Sequence, residues 1–112
     1  MMRMNQSYQQ QAEIFHLLSH PVRLEIMDEL RRREACVCHL QAVTGRPQAY
    51  VSQQLRLLKD AGIVIDIKDG QNVFYHLKSE TLRQLLEETL GAVGSPSHPI
   101  DCACPFCSQT NS

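Results

Sequence analysis

The chain has 112 residues, of which 43% are hydrophobic and 21% charged, as expected for one small globular domain with a buried core. Its formal net charge of −1 excludes the global positive field of a strongly basic protein, so any affinity for nucleic acid must come from a local patch. A chain this short buries a modest fraction of its own surface, and we therefore expect a homodimer.

The sequence contains no run of about 18 apolar residues and no basic-then-apolar leader, which predicts a cytoplasmic protein without a membrane partner. The cytosol keeps thiols reduced, and the five cysteines are spaced too closely for a disulfide framework. Glycine-rich phosphate loops and His-Glu-x-x-His patterns are absent from the sequence, so we expect neither an enzyme nor an organic cofactor. The cysteines form two clusters and predict metal or redox chemistry: Cys36 and Cys38, then Cys102, Cys104 and Cys107.

The first part of the chain predicts two helices. Residues 8–18 carry apolar side chains at helical spacing among Gln, Glu and Ser, which indicates an amphipathic helix. Ser19 is a good N-cap for a second helix, and Pro21 fits its first turn. The apolar stripe of this second helix leads into the arginines at 31–33, whose charge suits a helix C-terminus.

A helix-turn-helix is predicted next. A short helix after the first cysteine cluster should end at Thr44 and Gly45. Pro47 can open the following helix at its first position, and this helix should run to about Ala61 and end at Gly62 through a left-handed cap. Its inward face is predicted to be Val51, Leu55 and Leu58, and its outward face Ala49, Ser52, Gln53 and Arg56.

A hairpin and a last helix complete the predicted domain. Alternating runs at 63–68 and 73–77 flank the Gly-containing turn at 69–72, which is typical of a β-hairpin. Ser79 should cap a last helix with an apolar face. We predict a DNA-binding and dimerisation domain at residues 1–90 and a flexible cysteine-containing tail at 91–112, which begins with a Gly, Ser and Pro linker.

This order of elements predicts a mainly α fold with a small β-hairpin, a dimeric winged helix-turn-helix whose second helix enters the major groove. Gln side chains can pair with adenine, and Arg with guanine or phosphate. A polar helix face is often merely solvated, but a helix leading straight into a hairpin favours DNA binding. The candidate DNA-binding residues are Arg46, Gln48, Ala49, Tyr50, Ser52, Gln53, Gln54, Arg56, Lys59 and Lys68.

Three stretches together, residues 18–24 (LSHPVRL), 35–40 (ACVCHL) and 51–55 (VSQQL), resemble the ArsR/SmtB family of metal-responsive repressors. The resemblance covers about residues 10–90. It implies a homodimer built on the first and last helices, which binds an inverted-repeat operator in double-stranded DNA and leaves it when metal binds. Unlike the usual family pattern, His39 stands where Asp is common, and the wing carries Gln71 and Asn72 where arginine is frequent.

The first cysteine cluster looks like the metal-binding box of that family. Residues two apart do not face each other in a regular helix, so the sequence predicts that Cys36 and Cys38 share an ion only if their turn bends or unwinds. We expect a thiophilic ion, As(III), Sb(III), Cd(II) or Pb(II), as effector. The preferred site joins this pair to one or two of the tail cysteines.

Several alternatives remain open. The three tail cysteines could form a site of their own, and the box cysteines could be small core residues. The chain could also be a thiol redox or persulfide-sensing repressor of the same fold without metal, or a protein-interaction module that does not bind DNA. Of the five histidines, His39 is the one whose position beside the box makes it a possible ligand, although helix direction should turn it away.

Overall fold

The computed structural model describes residues 4–93, with side chains from residue 8 onward. Within this range the predicted winged helix-turn-helix is confirmed, with a hairpin between the fourth and fifth helices. Residues 94–112 of the predicted tail, with Cys102, Cys104 and Cys107, lie outside the described residues. The elements are α1 (Met4–Leu18), α2 (Pro21–Arg32), α3 (Val37–Thr44), α4 (Gln48–Asp60), β1 (Val64–Asp69), β2 (Asn72–Leu77) and α5 (Glu80–Leu90).

The start of α2 differs from the prediction by one residue. His20, not Ser19, occupies the N-cap, and it makes no side-chain cap hydrogen bond. Pro21 takes the first helical position, and a residue before proline is driven into the extended conformation that an N-cap requires. The Ser19 hydroxyl instead donates to the carbonyl of His16, 2.7 Å away, so it satisfies the end of α1.

The turn between α3 and α4 follows the sequence closely. The third helix ends at the predicted position, and the structure shows a left-handed cap there: Gly45 has a φ of 70° and its N–H donates to the Gln41 carbonyl at 2.8 Å. Pro47 is the N-cap of α4, whereas the sequence predicts it at the first helical position. Its carbonyl accepts a hydrogen bond from Val51 N–H. Gly62, with a φ of 78°, follows the end of α4 as expected.

One main core joins all the helices to the base of the hairpin. The predicted inward face of α4 is confirmed, because Val51, Leu55 and Leu58 are each at most 1% exposed. The main core consists of Val22, Ile26, Met27, Leu30, Ala35, Leu40, Val51, Leu55, Leu58, Ile63, Val64, Leu77, Leu82 and Leu86.

The hairpin, which we call the wing, projects away from that core. Asp69 pairs with Asn72 across a two-residue loop, and Gly70 supplies the positive φ of 66° that this loop needs. Two of the three isoleucines of the alternating pattern are not buried: Ile65 is 38% and Ile67 47% exposed, whereas Ile63 is buried in the main core. Their alternation reports strand geometry and not a covered face.

Arg83 attaches α5 to the rest of the domain. Its guanidinium donates to the carbonyl of Arg31 at the end of α2 (3.0 Å) and to the carbonyl of Leu77 at the end of β2 (2.9 Å). The first of these bonds satisfies a carbonyl in the last turn of α2, where carbonyls lack an intrahelical partner, and the second ties α5 to the end of β2.

The cap of α5 offers a test of the local assignments. The Ser79 hydroxyl accepts a hydrogen bond from Leu82 N–H at 3.2 Å, as predicted. We expect Ser79→Ala to lower the free energy of unfolding by about 1 kcal/mol, measured by urea denaturation. Ser19→Ala is the matched control, because Ser19 caps no helix N-terminus, and it should cost less. Equal losses would contradict the assignment.

Candidate nucleic-acid interface and thiol pair

Most of the predicted DNA-binding residues lie on one exposed surface. Helical periodicity places the candidates on α4 opposite its buried stripe, and the structure exposes most of the candidates as predicted. A cavity of about 260 Å³ between α4 and the wing brings together Ser52, Arg56 and Lys59 with Tyr75. The exposed candidates are Arg46, Gln48, Ala49, Ser52, Gln53, Arg56, Lys59 and Lys68.

Gln54 is the exception and does not belong to this surface. It is 5% exposed, and its side-chain oxygen accepts a 2.7 Å hydrogen bond from Arg23 Nε of α2. Arg23 also donates to the Leu17 carbonyl at 3.4 Å, near the end of α1. Gln54 therefore connects α4 to the preceding helices, and its amide is not presented to solvent.

Tyr50 occupies the margin between the two faces of α4. It is half-buried, and its hydroxyl lies 3.3 Å from His20 Nε2. The guanidinium carbon of Arg46 lies 5.8 Å from the centre of the Tyr50 ring, within range of a cation–π contact. These contacts orient Arg46 beside the turn that precedes α4.

Lys59 has a partner on the wing. Its ammonium donates to Asp66 Oδ2 at 3.0 Å, which links the end of α4 to β1. This hydrogen bond raises the pKa of Lys59 and lowers the pKa of Asp66, since both are stabilised in their charged forms. Burial raises the pKa of Tyr75, which lies on β2 near the same pair.

Cys36 and Cys38, which we call the thiol pair, already face each other. Their Sγ atoms are 3.5 Å apart. The expectation that α3 must bend or unwind is wrong, because Cys36 is the N-cap and has an extended backbone (φ −87°, ψ 171°). The rule against contacts between residues two apart applies only inside a helix, and the first cysteine lies just outside it.

The geometry of the thiol pair fits two ligands of one soft ion. Two sulfurs bound at about 2.3 Å to a tetrahedral ion lie roughly 3.8 Å apart, so the pair needs only a small adjustment. In the part of the chain that the structure describes, no group of three or more His, Cys, Asp or Glu side chains is arranged to hold a metal ion.

His39 is turned away from the thiol pair, as helix direction predicted. The ring is 1% exposed, and its Nε2 lies 2.8 Å from Glu29 Oε2 of α2. Within the described residues, its Nδ1 has no hydrogen-bond partner. Glu29 was not predicted as a partner of His39; the available indication in the sequence is that a carboxylate interrupts the apolar stripe of α2.

Phe74 of β2 was also missed. It is 9% exposed and forms a small buried cluster with Cys36 (6% exposed), against which Cys38 packs. An aromatic residue in an alternating strand gives no indication of its partner, so only the fold could place it beside the sulfurs.

Residues 8–93 contain no helix long and apolar enough to cross a membrane.

A helix-turn-helix with an exposed polar second helix and an adjoining wing defines the class of winged helix-turn-helix domains. Residues 20–66 match a family model described as bacterial regulatory protein, arsR family. The transcriptional repressor BigR from Xylella fastidiosa is 32% identical with a TM-score of 0.69, and the match covers 84% of this chain and 100% of that one. The chain belongs to the ArsR family.

Two further matches agree with this assignment. The chain is 40% identical over 80 residues to a transcriptional repressor SmtB homolog of Synechocystis sp., covering 71% of this chain and 61% of that protein. A homodimeric winged helix-turn-helix DNA-binding domain from Mycobacterium bovis superposes with a TM-score of 0.73 at 26% identity, covering 80% of this chain and 83% of that one. The chain thus spans about three fifths of the Synechocystis relative. These relatives are regulators and not enzymes, as predicted.

Proposed function

We propose that the chain is a transcriptional repressor that binds an inverted-repeat operator as a homodimer and releases it when a thiophilic ion engages the thiol pair. The observation that carries this proposal is the 3.5 Å separation of the Cys36 and Cys38 sulfurs at the start of α3. A short turn connects α3 to α4, which carries the exposed candidate DNA-binding residues. Soft metal ions form strong bonds with thiolate sulfur. The sensing chemistry and the DNA surface thus lie within one small domain.

Exposed apolar side chains on the terminal helices support the homodimer. Tyr8 and Phe15 of α1 are 65% and 55% exposed, and Leu90 at the end of α5 is 49% exposed. Large exposed apolar side chains grouped on two helices are typical of a surface that a partner covers. A two-fold dimer would present two copies of α4, matching the symmetry of an inverted repeat.

Neighbouring glutamines test the assignment of the DNA surface. Gln53→Ala should weaken operator binding by about 1–3 kcal/mol, since it removes an exposed base-pairing candidate, and should leave stability unchanged. Gln54→Ala should instead destabilise the fold, because it removes the acceptor of Arg23 Nε. Fluorescence anisotropy with duplex DNA and thermal unfolding separate the two effects. A larger loss of DNA affinity from Gln54→Ala, at unchanged stability, would contradict the assignment.

Further ligands for the ion are proposed to come from the tail. The preferred arrangement is a composite site in which Cys36 and Cys38 are joined by one or two of Cys102, Cys104 and Cys107. Three thiolates suit As(III) or Sb(III), and three or four suit Cd(II) or Pb(II). The rival arrangement is a separate three-thiol site within the tail.

Titration of the intact chain with CdCl₂ and with arsenite tests this function. Ultraviolet absorption from sulfur–metal bonds should rise together with dissociation of the operator. A full-length variant with serine at 102, 104 and 107 should lose one or two sulfur ligands if the site is composite. Saturation of the thiols without any change in DNA affinity would overturn the proposal.

A redox-sensing repressor is the second candidate, and the same 3.5 Å separation favours it. A peroxide could oxidise the two thiols to a disulfide, with the two electrons and protons passing to the peroxide to form water. One similar structure is described as reduced HlyU from Vibrio cholerae, at 27% identity. Release of DNA by peroxide, together with a flat absorption response to metals, would select this alternative.

A further inference from the structure

The segment just before the thiol pair is hydrogen-bonded to the wing. Ala35 N–H donates to the Tyr75 carbonyl at 3.2 Å, and Tyr75 N–H donates to the Ala35 carbonyl at 2.7 Å. This reciprocal exchange is one rung of an antiparallel ladder. Cys36 is therefore attached, through the residue before it, to the middle of β2.

Side chains add a second and a third connection. The ring of Phe74 packs on Cys36 and Cys38 in a buried cluster separate from the main core. One residue further along each segment, Glu34 Oε2 lies 3.3 Å from His76 Nε2. Three consecutive residues of β2 thus contact the segment that carries the thiol pair.

By contrast, α4 is anchored in the main core. Val51 and Leu58 are both fully buried there, and that core contains residues of α2, α3, α4 and α5, with α1 packed against it. The cluster of Phe74 with the thiol pair is much smaller. Protein interiors are close-packed, so no empty space is available to take up a change in the distance between the two sulfurs or in their charge. The Phe74 ring, which packs on both cysteines, must therefore move.

We propose that the wing is the first element to respond to the thiol pair, and that Phe74 is the positioning residue that passes the change to it. This inference rests on the proposed function. Occupation of the thiol pair displaces the Phe74 ring and weakens the rung between Ala35 and Tyr75. The wing then moves relative to α4, and Lys68, a DNA-binding candidate on β1, moves with it.

Amide hydrogen exchange tests the response without DNA. The probe is phenylarsine oxide, whose arsenic bonds to two thiol sulfurs while its oxygen leaves as water with the two thiol protons. The full-length protein with serine at 102, 104 and 107 confines the reagent to Cys36 and Cys38, and mass spectrometry confirms one adduct. We expect exchange of the Tyr75 amide to accelerate at least about tenfold, while that of Val51 changes less than about twofold.

The outcomes of this experiment separate the two proposals. Unchanged exchange at Tyr75 in the confirmed adduct overturns the inference, whatever happens on DNA. Faster exchange at Tyr75 without loss of DNA affinity supports the inference and counts against the proposed release. Failure to form the adduct overturns both, because the thiol pair could not then act as a bidentate ligand.

A substitution tests the role of Phe74 directly. Phe74→Leu keeps an apolar side chain but removes the ring from the sulfurs, and Val73→Ala on the opposite face of β2 is the matched control. The ratio of DNA dissociation constants with and without the adduct should fall at least about fivefold in Phe74→Leu and stay at the wild-type value in Val73→Ala. An unchanged ratio in Phe74→Leu would show that the ring has no positioning role.

Discussion

Replacement of both box cysteines, Cys36→Ser with Cys38→Ser, is expected to give a repressor that still binds operator DNA and no longer releases it. The reason is that both sulfurs that face each other are lost, while the exposed face of α4 is untouched. Allosteric coupling of this kind is typically worth about 1–3 kcal/mol, or roughly 5- to 150-fold in affinity. The whole of this effector response should disappear, as measured by anisotropy of a labelled operator with and without CdCl₂.

Serine at Cys102, Cys104 and Cys107 is the matched control for this experiment. In a composite site it should weaken ion binding but leave a response at high ion concentration, because the thiol pair remains. Retention of full effector-triggered dissociation in the Cys36→Ser and Cys38→Ser protein would refute the proposed role of the thiol pair. A complete loss of response in the tail variant alone would favour the separate tail site.

The largest expected loss of stability comes from Leu58→Ala in α4. Leu58 is fully buried in the main core, so its truncation removes apolar contacts and leaves a cavity. Such changes cost about 2–5 kcal/mol, a large share of the roughly 5–15 kcal/mol that stabilises a typical domain. Urea denaturation followed by circular dichroism at fixed protein concentration measures the loss.

Leu57→Ala is the control, since the two leucines are adjacent in the same helix and differ mainly in burial. Leu57 is 40% exposed, and its truncation should change the free energy of unfolding by about 0.5 kcal/mol or less. If the two variants were equally stable, Leu58 would not contribute to the core as the structure places it.

The sequence predicted features that depend on local chemistry. Helical spacing identified the buried stripe and the exposed face of α4, and glycine identified the end of α3 because a positive φ was needed at Gly45. The Ser79 cap followed from the same kind of local signal. Each of these depends on residues only a few positions apart, and so a single chain contains the required information.

The sequence did not predict contacts between distant residues. The Arg23 to Gln54 hydrogen bond joins residues 31 positions apart, and the sequence alone made Gln54 a DNA-binding candidate. The approach of the two sulfurs depended on whether Cys36 lay inside α3 or one residue before it. Helix ends carry an uncertainty of one or two residues in sequence analysis, and here that margin decided the geometry of the site.

The two hydrogen bonds that Arg83 donates determine how the attachment of α5 depends on pH. Both acceptors are backbone carbonyls, which carry no titratable charge, and guanidinium stays protonated at every physiological pH. Acidification should therefore leave the two hydrogen bonds from Arg83 to the backbone intact. If α5 contributes to the proposed dimer interface, its position in each subunit should not change as the pH falls.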